Sequence, residues 1–157
     1  MIKVGSARSM SLGNDGSVSE QPFYIHPKGW LVIHARDKNH RHSMALDMRN
    51  ACANNNLTYS QPQREEIYKR GTDAKVPTKC DCSSLVTQII RECITCSMKN
   101  STTYDLALNC KLTGLFDVYD YIDGKTKLWN GDILVTKIKG HTVIVTRGAK
   151  KNTKTSK

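Results

Sequence analysis

A thiol and an imidazole carry the chemistry this sequence can do. The thiol lies in Lys79-Cys80-Asp81-Cys82-Ser83-Ser84-Leu85-Val86, and the imidazole opens the apolar run Gly140-His141-Thr142-Val143-Ile144-Val145. Cysteine plus histidine is the minimum set for an activated sulfur nucleophile: the ring takes the thiol's proton and later returns it to the leaving amine. From Cys82 onward, Leu85, Val86, Ile89, Ile90 and Cys93 recur at helical spacing and form one apolar stripe. The spacing predicts a buried helix with Cys82 at its start. There, unsatisfied backbone N–H groups and the positive end of the helix dipole favour the thiolate. The same pattern fits a small residue packed in the first turn of a core helix, and the local sequence alone does not separate the two.

Two apolar runs must position the histidine. Gly131-Asp132-Ile133-Leu134-Val135 and the run from Gly140 read as adjacent strands of an antiparallel hairpin, joined through Lys137 to Gly140. Earlier in the chain, Trp30 to Ala35 reads as a strand, with Trp30, Val32 and His34 on one face and Leu31, Ile33 and Ala35 on the other. Asp37 to Asn54 reads as a helix with Met44, Ala45, Met48, Ala51 and Cys52 inward and Arg41, Asp47 and Arg49 on the wet side. His40 and His42 at its start read as solvated, since no Glu or His stands one turn on from both. Glu65 to Arg70 is a short helical turn closed by Gly71, and Thr72 to Lys79 is a loop. Residues 1–22 read as an irregular arm with a short strand at Ile2 to Val4 and a Gly/Ser/Asn loop from Ser11 to Ser19. Asn100 to Leu112 is loop or short helix, and Thr113 to Ile122 is a half-buried strand or a loop over a groove. Helices followed by a short antiparallel sheet define an α+β fold, with a Cys-bearing helix packed on a small antiparallel β-sheet.

These residues resemble a known family. Asp-Cys-Ser-Ser-Leu-Val at 81–86, Gly-Asp-Ile-Leu-Val at 131–135 and Gly-His-Thr-Val-Ile-Val at 140–145 resemble the NlpC-type cysteine peptidases and their relatives, the CHAP amidohydrolase/peptidases of phage lysins. The order is the family's: Cys-bearing helix, Gly-Asp strand, His strand. Lys3-Val4-Gly5-Ser6-Ala7-Arg8 and His26-Pro27-Lys28-Gly29-Trp30 resemble small lysin-like hydrolases of phages and prophages that infect Gram-positive bacteria. The resemblance implies a papain-like (NlpC-type) fold. It implies a peptidoglycan hydrolase, an endopeptidase or N-acetylmuramoyl-L-alanine amidase. Cys82 would be the nucleophile and His141 the base, as an ion pair, with no metal and no cofactor. Cys82 matches the family position better than Cys80 does. An upstream tyrosine often lines the family's site, and Tyr59 is the best match. Asp81 joins it beside the substrate and caps the helix. The family's third polar residue lies on the strand after the histidine; Asn152 is the only candidate there, and it sits in a lysine-rich tail.

Composition sets the outer limits. The chain has 157 residues, enough for one domain with a real core. Its charge is +10, from 24 Lys and Arg against 14 Asp and Glu, which favours a polyanionic partner. Nucleic acid, a teichoic-acid-bearing wall and a membrane surface all satisfy the charge. The family resemblance selects peptidoglycan and anionic wall polymers, with no nucleic acid expected. No run approaches the roughly 18 apolar residues of a membrane span. Met1 to Gly16 is polar and lacks the apolar segment of a signal peptide, so the expectation is synthesis in the host cytoplasm and action on the cell wall. Residues 1–149 are expected to be one catalytic domain and 150–157 a basic flexible tail. With no export signal, the six cysteines are expected to be reduced.

Two other readings stay open. Cys80, Cys82, Cys93 and Cys96 could in principle hold a structural zinc. Along a helix, however, Cys82 and Cys93 would stand roughly 16 Å apart at about 1.5 Å per residue, too far to share one ion. The second alternative is a non-catalytic basic module, wall- or nucleic-acid-directed, on a degenerate papain-like fold.

Overall fold

The computed structural model describes residues 1–9 and 16–149. The basic tail, Asn152 and the first part of the expected Ser11–Ser19 loop, positions 11–15, lie outside the described residues. The order is β1 (Lys3–Ser9), β2 (Gly16–Pro22), β3 (Trp30–Ala35), α1 (Lys38–Cys52), β4 (Leu57–Tyr59), α2 (Glu66–Arg70), β5 (Thr78–Cys80), α3 (Cys82–Cys93), α4 (Leu106–Leu112), β6 (Phe116–Asp120), β7 (Ile133–Thr136) and β8 (Thr142–Arg147). The fold is α+β. Its sheet is larger than the small antiparallel one expected: eight strands run β5-β4-β2-β1-β8-β7-β3-β6, and the β4–β5 pair is parallel.

The expected irregular arm is a hairpin. β1 and β2 pair antiparallel along seven residues each, from Lys3↔Pro22 to Ser9↔Gly16, and β1 then pairs with β8. The polar alternation of Gly16–Pro22 hides a strand because its inward positions are small. Only Val18 of that segment packs in the core. The expected loop before the cysteines likewise ends in β5, whose three residues pair with β4.

Each sheet face covers its own core. On one face Ile33, Ala35, Val135 and Ile144 pack against α1 (Met44, Met48, Ala51) and α3 (Leu85, Val86, Ile89, Ile90). On the other, Trp30, Val32, Leu134, Val143 and Val145 pack with Val4 and Leu128. The alternation read in Trp30–Ala35 sets this division, since strand side chains point alternately to the two faces. Among the described residues no helix is long and apolar enough to cross a membrane.

Arg41, expected on the wet side of α1, is only 4% exposed. Its Nη1 donates to the Ala35 and Arg36 carbonyls at 2.6 and 3.2 Å and to His34 Nε2 at 3.2 Å. Arginine only donates, so His34 Nε2 accepts and the ring proton faces Asp132 Oδ1, 2.6 Å from Nδ1. Asp132 is fully buried, and its other oxygen accepts the Trp129 N–H at 2.8 Å. Gly131 beside it has φ +87°, and a Cβ there would stand 2.0 Å from the Arg41 carbonyl oxygen. The Gly-Asp pair is therefore a joint between β7, β3 and α1.

Candidate functional site

Asp81 builds the start of α3. Its Oδ1 accepts the Ser84 N–H at 2.8 Å and the Ser83 hydroxyl at 3.3 Å, while Ser84 Oγ accepts the Asp81 N–H at 2.9 Å, a complete capping box. Oδ2 accepts Arg64 Nε at 2.8 Å. The sequence expectation of a cap at Asp81 is met in geometry. The same bonds show that three protein donors already occupy this carboxylate.

Cys82 is the first residue of α3 and is 8% exposed. It lines an open cleft of about 560 Å³ together with Tyr59, Arg64, Asp81, Thr103 and Gly140, among others. Cys80 instead ends β5, is fully buried, and directs its sulfur at the Thr58 carbonyl, 3.8 Å away. Of the two thiols, Cys82 alone faces the cleft. Tyr59 ends β4 and borders the same space.

His141 directly precedes β8. The backbone N–H of the next residue, Thr142, is directed at the Cys82 sulfur, as is that of Ser83. The first turn of α3 and the start of β8 therefore meet at the cysteine. Among the described residues the cleft's lining passes through Lys139 and Gly140 and stops one residue short of His141. The imidazole is partly buried and lies within the electrostatic reach of Arg8 and His26. The N-terminal hairpin and the segment after it thus supply charge beside the histidine, which sequence reasoning missed. Arg8 carries a signal in hindsight: its guanidinium reaches inward, with Nη1 bonded to Ser19 at 2.7 Å and Nη2 buried without a partner.

Burial favours the neutral form of both Cys82 and His141. Burial, then the Asp81 carboxylate, pushes the Cys82 thiol up to about 12, against the Thr142 and Ser83 N–H groups and the Arg64 charge. Burial, then the charges of Arg8 and His26, pushes His141 down to about 4. Burial thus favours the neutral thiol and the neutral imidazole over the charged forms of the ion pair expected from the sequence. The helix-start effect is real but smaller than the cost of burying a charge here.

The remaining cysteines are free thiols. Cys93 lies at the far end of α3, its sulfur donating to Asp47 Oδ2 at 3.6 Å. Among the described residues no three His, Cys, Asp or Glu side chains converge to hold a metal ion.

The fold and site together define an α+β protein with a cleft floored by a helix-start thiol. Residues 12–152 match the family described as the endolysin-like domain, and the chain belongs to that family. It is a phage-endolysin-like protein with a lysin-type function on the cell wall, peptidoglycan being the implied substrate. No curated protein and no solved structure matches the chain.

Proposed function

We propose that the chain is a cysteine peptidase or amidase of the papain-like NlpC/CHAP type, a phage or prophage lysin that hydrolyses an amide bond of peptidoglycan. The observation that carries this reading is the position of Cys82. Its sulfur stands at the first residue of a capped helix, opens on a cleft, and receives the N–H of the residue after His141. No other described thiol has that combination.

In the reaction, His141 accepts the Cys82 proton as the sulfur attacks the amide carbonyl. The tetrahedral oxyanion is met by the Cys82 backbone N–H, a helix-start donor that the capping carboxylate leaves over. His141 returns the proton to the departing amine, and a thioester acyl-enzyme forms. Water, deprotonated by the same imidazole, then releases the acid. Tyr59 borders the bound peptide. Asp81 holds the helix start beside it. No metal or cofactor enters these steps. The charge of +10 suits anionic wall polymers around the substrate. Synthesis in the host cytoplasm followed by action at the wall fits such an enzyme, with residues 1–149 as its catalytic domain.

Cys82→Ala and His141→Ala should each abolish release of soluble muropeptides from purified walls while melting near wild type. Retained release in either variant ends this reading, and salt-dependent wall binding without cleavage would favour a binding module. Mass spectrometry of the wild-type digest identifies the bond cut.

A further inference from the structure

Arg64 is the most heavily engaged side chain near the cleft. Nε donates to Asp81 Oδ2 at 2.8 Å, Nη2 to Ser83 Oγ at 3.1 Å and to the Ser101 carbonyl at 2.7 Å, and Nη1 to Asn100 Oδ1 at 2.7 Å. One guanidinium thus ties the start of α3 to the segment at 100–103, whose Thr102 and Thr103 wall the cleft. Asn100 is itself held by Tyr68 and Glu65, and Ser101 by Asn109. With four bonds made inside the protein, Arg64 has little left to offer a substrate. Its work lies in what it does to Asp81.

Asp81 presents a problem for its neighbour. The carboxylate that caps the helix is also the largest charge acting against a thiolate at Cys82. The other titratable groups acting on that sulfur are Arg64 itself, Arg8, Tyr24, Tyr59 and Cys80, with His141 one residue from the Thr142 N–H. Of these only the two arginines are cations. Arg8 is anchored on Ser19, whereas Arg64 is in direct contact with the offending carboxylate.

We infer that Arg64 is a positioning residue of the proposed thiol enzyme: by pairing with Asp81 and bonding Ser83, it limits how far the anionic cap beside Cys82 suppresses the sulfur's reactivity. The inference rests on Cys82 being the nucleophile but not on which bond is cut. A lysine would keep the charge and lose the fork. A neutral side chain would leave the carboxylate unbalanced next to the sulfur.

The test is iodoacetamide alkylation of Cys82 in the full chain across pH 6 to 9, read by peptide mass mapping so that exposed Cys96 is counted separately. Below the thiol's pKa, reactivity follows the thiolate fraction, so a one-unit rise costs about tenfold at every pH. Arg64→Met should slow alkylation by about tenfold and displace the log rate–pH line in parallel. Arg64→Met combined with Asp81→Asn should recover to within about threefold of wild type, because asparagine still caps and the unbalanced charge is gone. Arg64→Lys should also stay within about threefold. A purely structural role would not be rescued by removing a second bond-maker. An unchanged Arg64→Met rate, or a double variant as slow as the single one, overturns the inference. If Arg64→Met does not fold, the double variant and Arg64→Lys decide: a tenfold loss in either overturns it. Alkylation needs no wall. A chain whose Cys82 responds in this way but releases no muropeptides would therefore sink the peptidase reading and leave the role of Arg64 standing.

Discussion

The backbone N–H of Thr142 points at the sulfur of Cys82, so the strand that follows the histidine and the helix that carries the cysteine abut at their first residues. This contact couples two segments some sixty positions apart in the chain. It also donates to the sulfur from the strand side, while Ser83 donates from the helix side.

The opposite shifts at Cys82 and His141 have a spectroscopic and a kinetic consequence. With the thiol near 12 and the imidazole near 4, the difference spectrum of wild type against Cys82→Ala should show no thiolate absorbance in the ultraviolet at pH 7. The kcat/KM on wall substrate should fall on the acid side as His141 protonates, with an apparent pKa near 4. A thiolate band at neutral pH would contradict the electrostatics described above.

His34 is half-buried and its partner Asp132 fully buried, so breaking the pair should be costly. His34→Ala leaves a fully buried carboxylate without its 2.6 Å partner. A loss of about 3 kcal/mol in urea unfolding is expected. Asp132→Asn, which removes the charge along with the bond, should cost less.

Gly131→Ala should be among the most damaging single-methyl additions in the chain. The position has φ +87°, and the new Cβ would meet Arg41 backbone at 2.0 Å. Strain and overlap together predict a loss of about 3 kcal/mol or more, measured by thermal or denaturant unfolding.

Asp47 should make the fold less stable as pH rises. Thr72 Oγ1 lies 2.7 Å from Asp47 Oδ1 and 2.5 Å from Glu92 Oε1. One hydroxyl proton cannot serve both, so a second proton on Asp47 completes the chain. Burial, then the bond with Glu92, raises Asp47 to about 7, while hydrogen bonds from Asp47, Thr72 and Gln88 outweigh burial and hold Glu92 below its usual range. A carboxyl raised on folding binds more protons in the native state, so its contribution falls as pH climbs from about 4 to 7. Asp47→Asn should flatten stability across that window and stabilise the protein at pH 8 by about 1 kcal/mol. Equal slopes for variant and wild type would rule this out.

The local frame around Cys82 was the most legible part of the sequence. The stripe from Leu85 to Ile90 gave the Cys82 helix, and Asp81 followed by Ser83-Ser84 gave its cap, because both are local signals with fixed spacing. The strands from Trp30, Ile133 and Thr142 were equally plain, being apolar runs between turns. The N-terminal hairpin was not legible: its residues are small and polar, and their inward face is defined only by the strands that flank it. Arg41 was misplaced for a related reason. Helical periodicity assigns a charged residue to solvent, and only the return of β3 and the β7 joint gives its guanidinium buried acceptors. Arg64 carried no motif, since its four partners come from positions 81, 83, 100 and 101.

The pairing of the first strand with the last has a temporal meaning. β1 is held by β8, and Ser6 Oγ donates to the Thr142 carbonyl at 2.7 Å beside the cysteine. A nascent polypeptide on the ribosome lacks that partner until Arg147 has left the exit tunnel. The surroundings of Cys82 therefore close only after β8 has emerged, later than α3 and every strand before it.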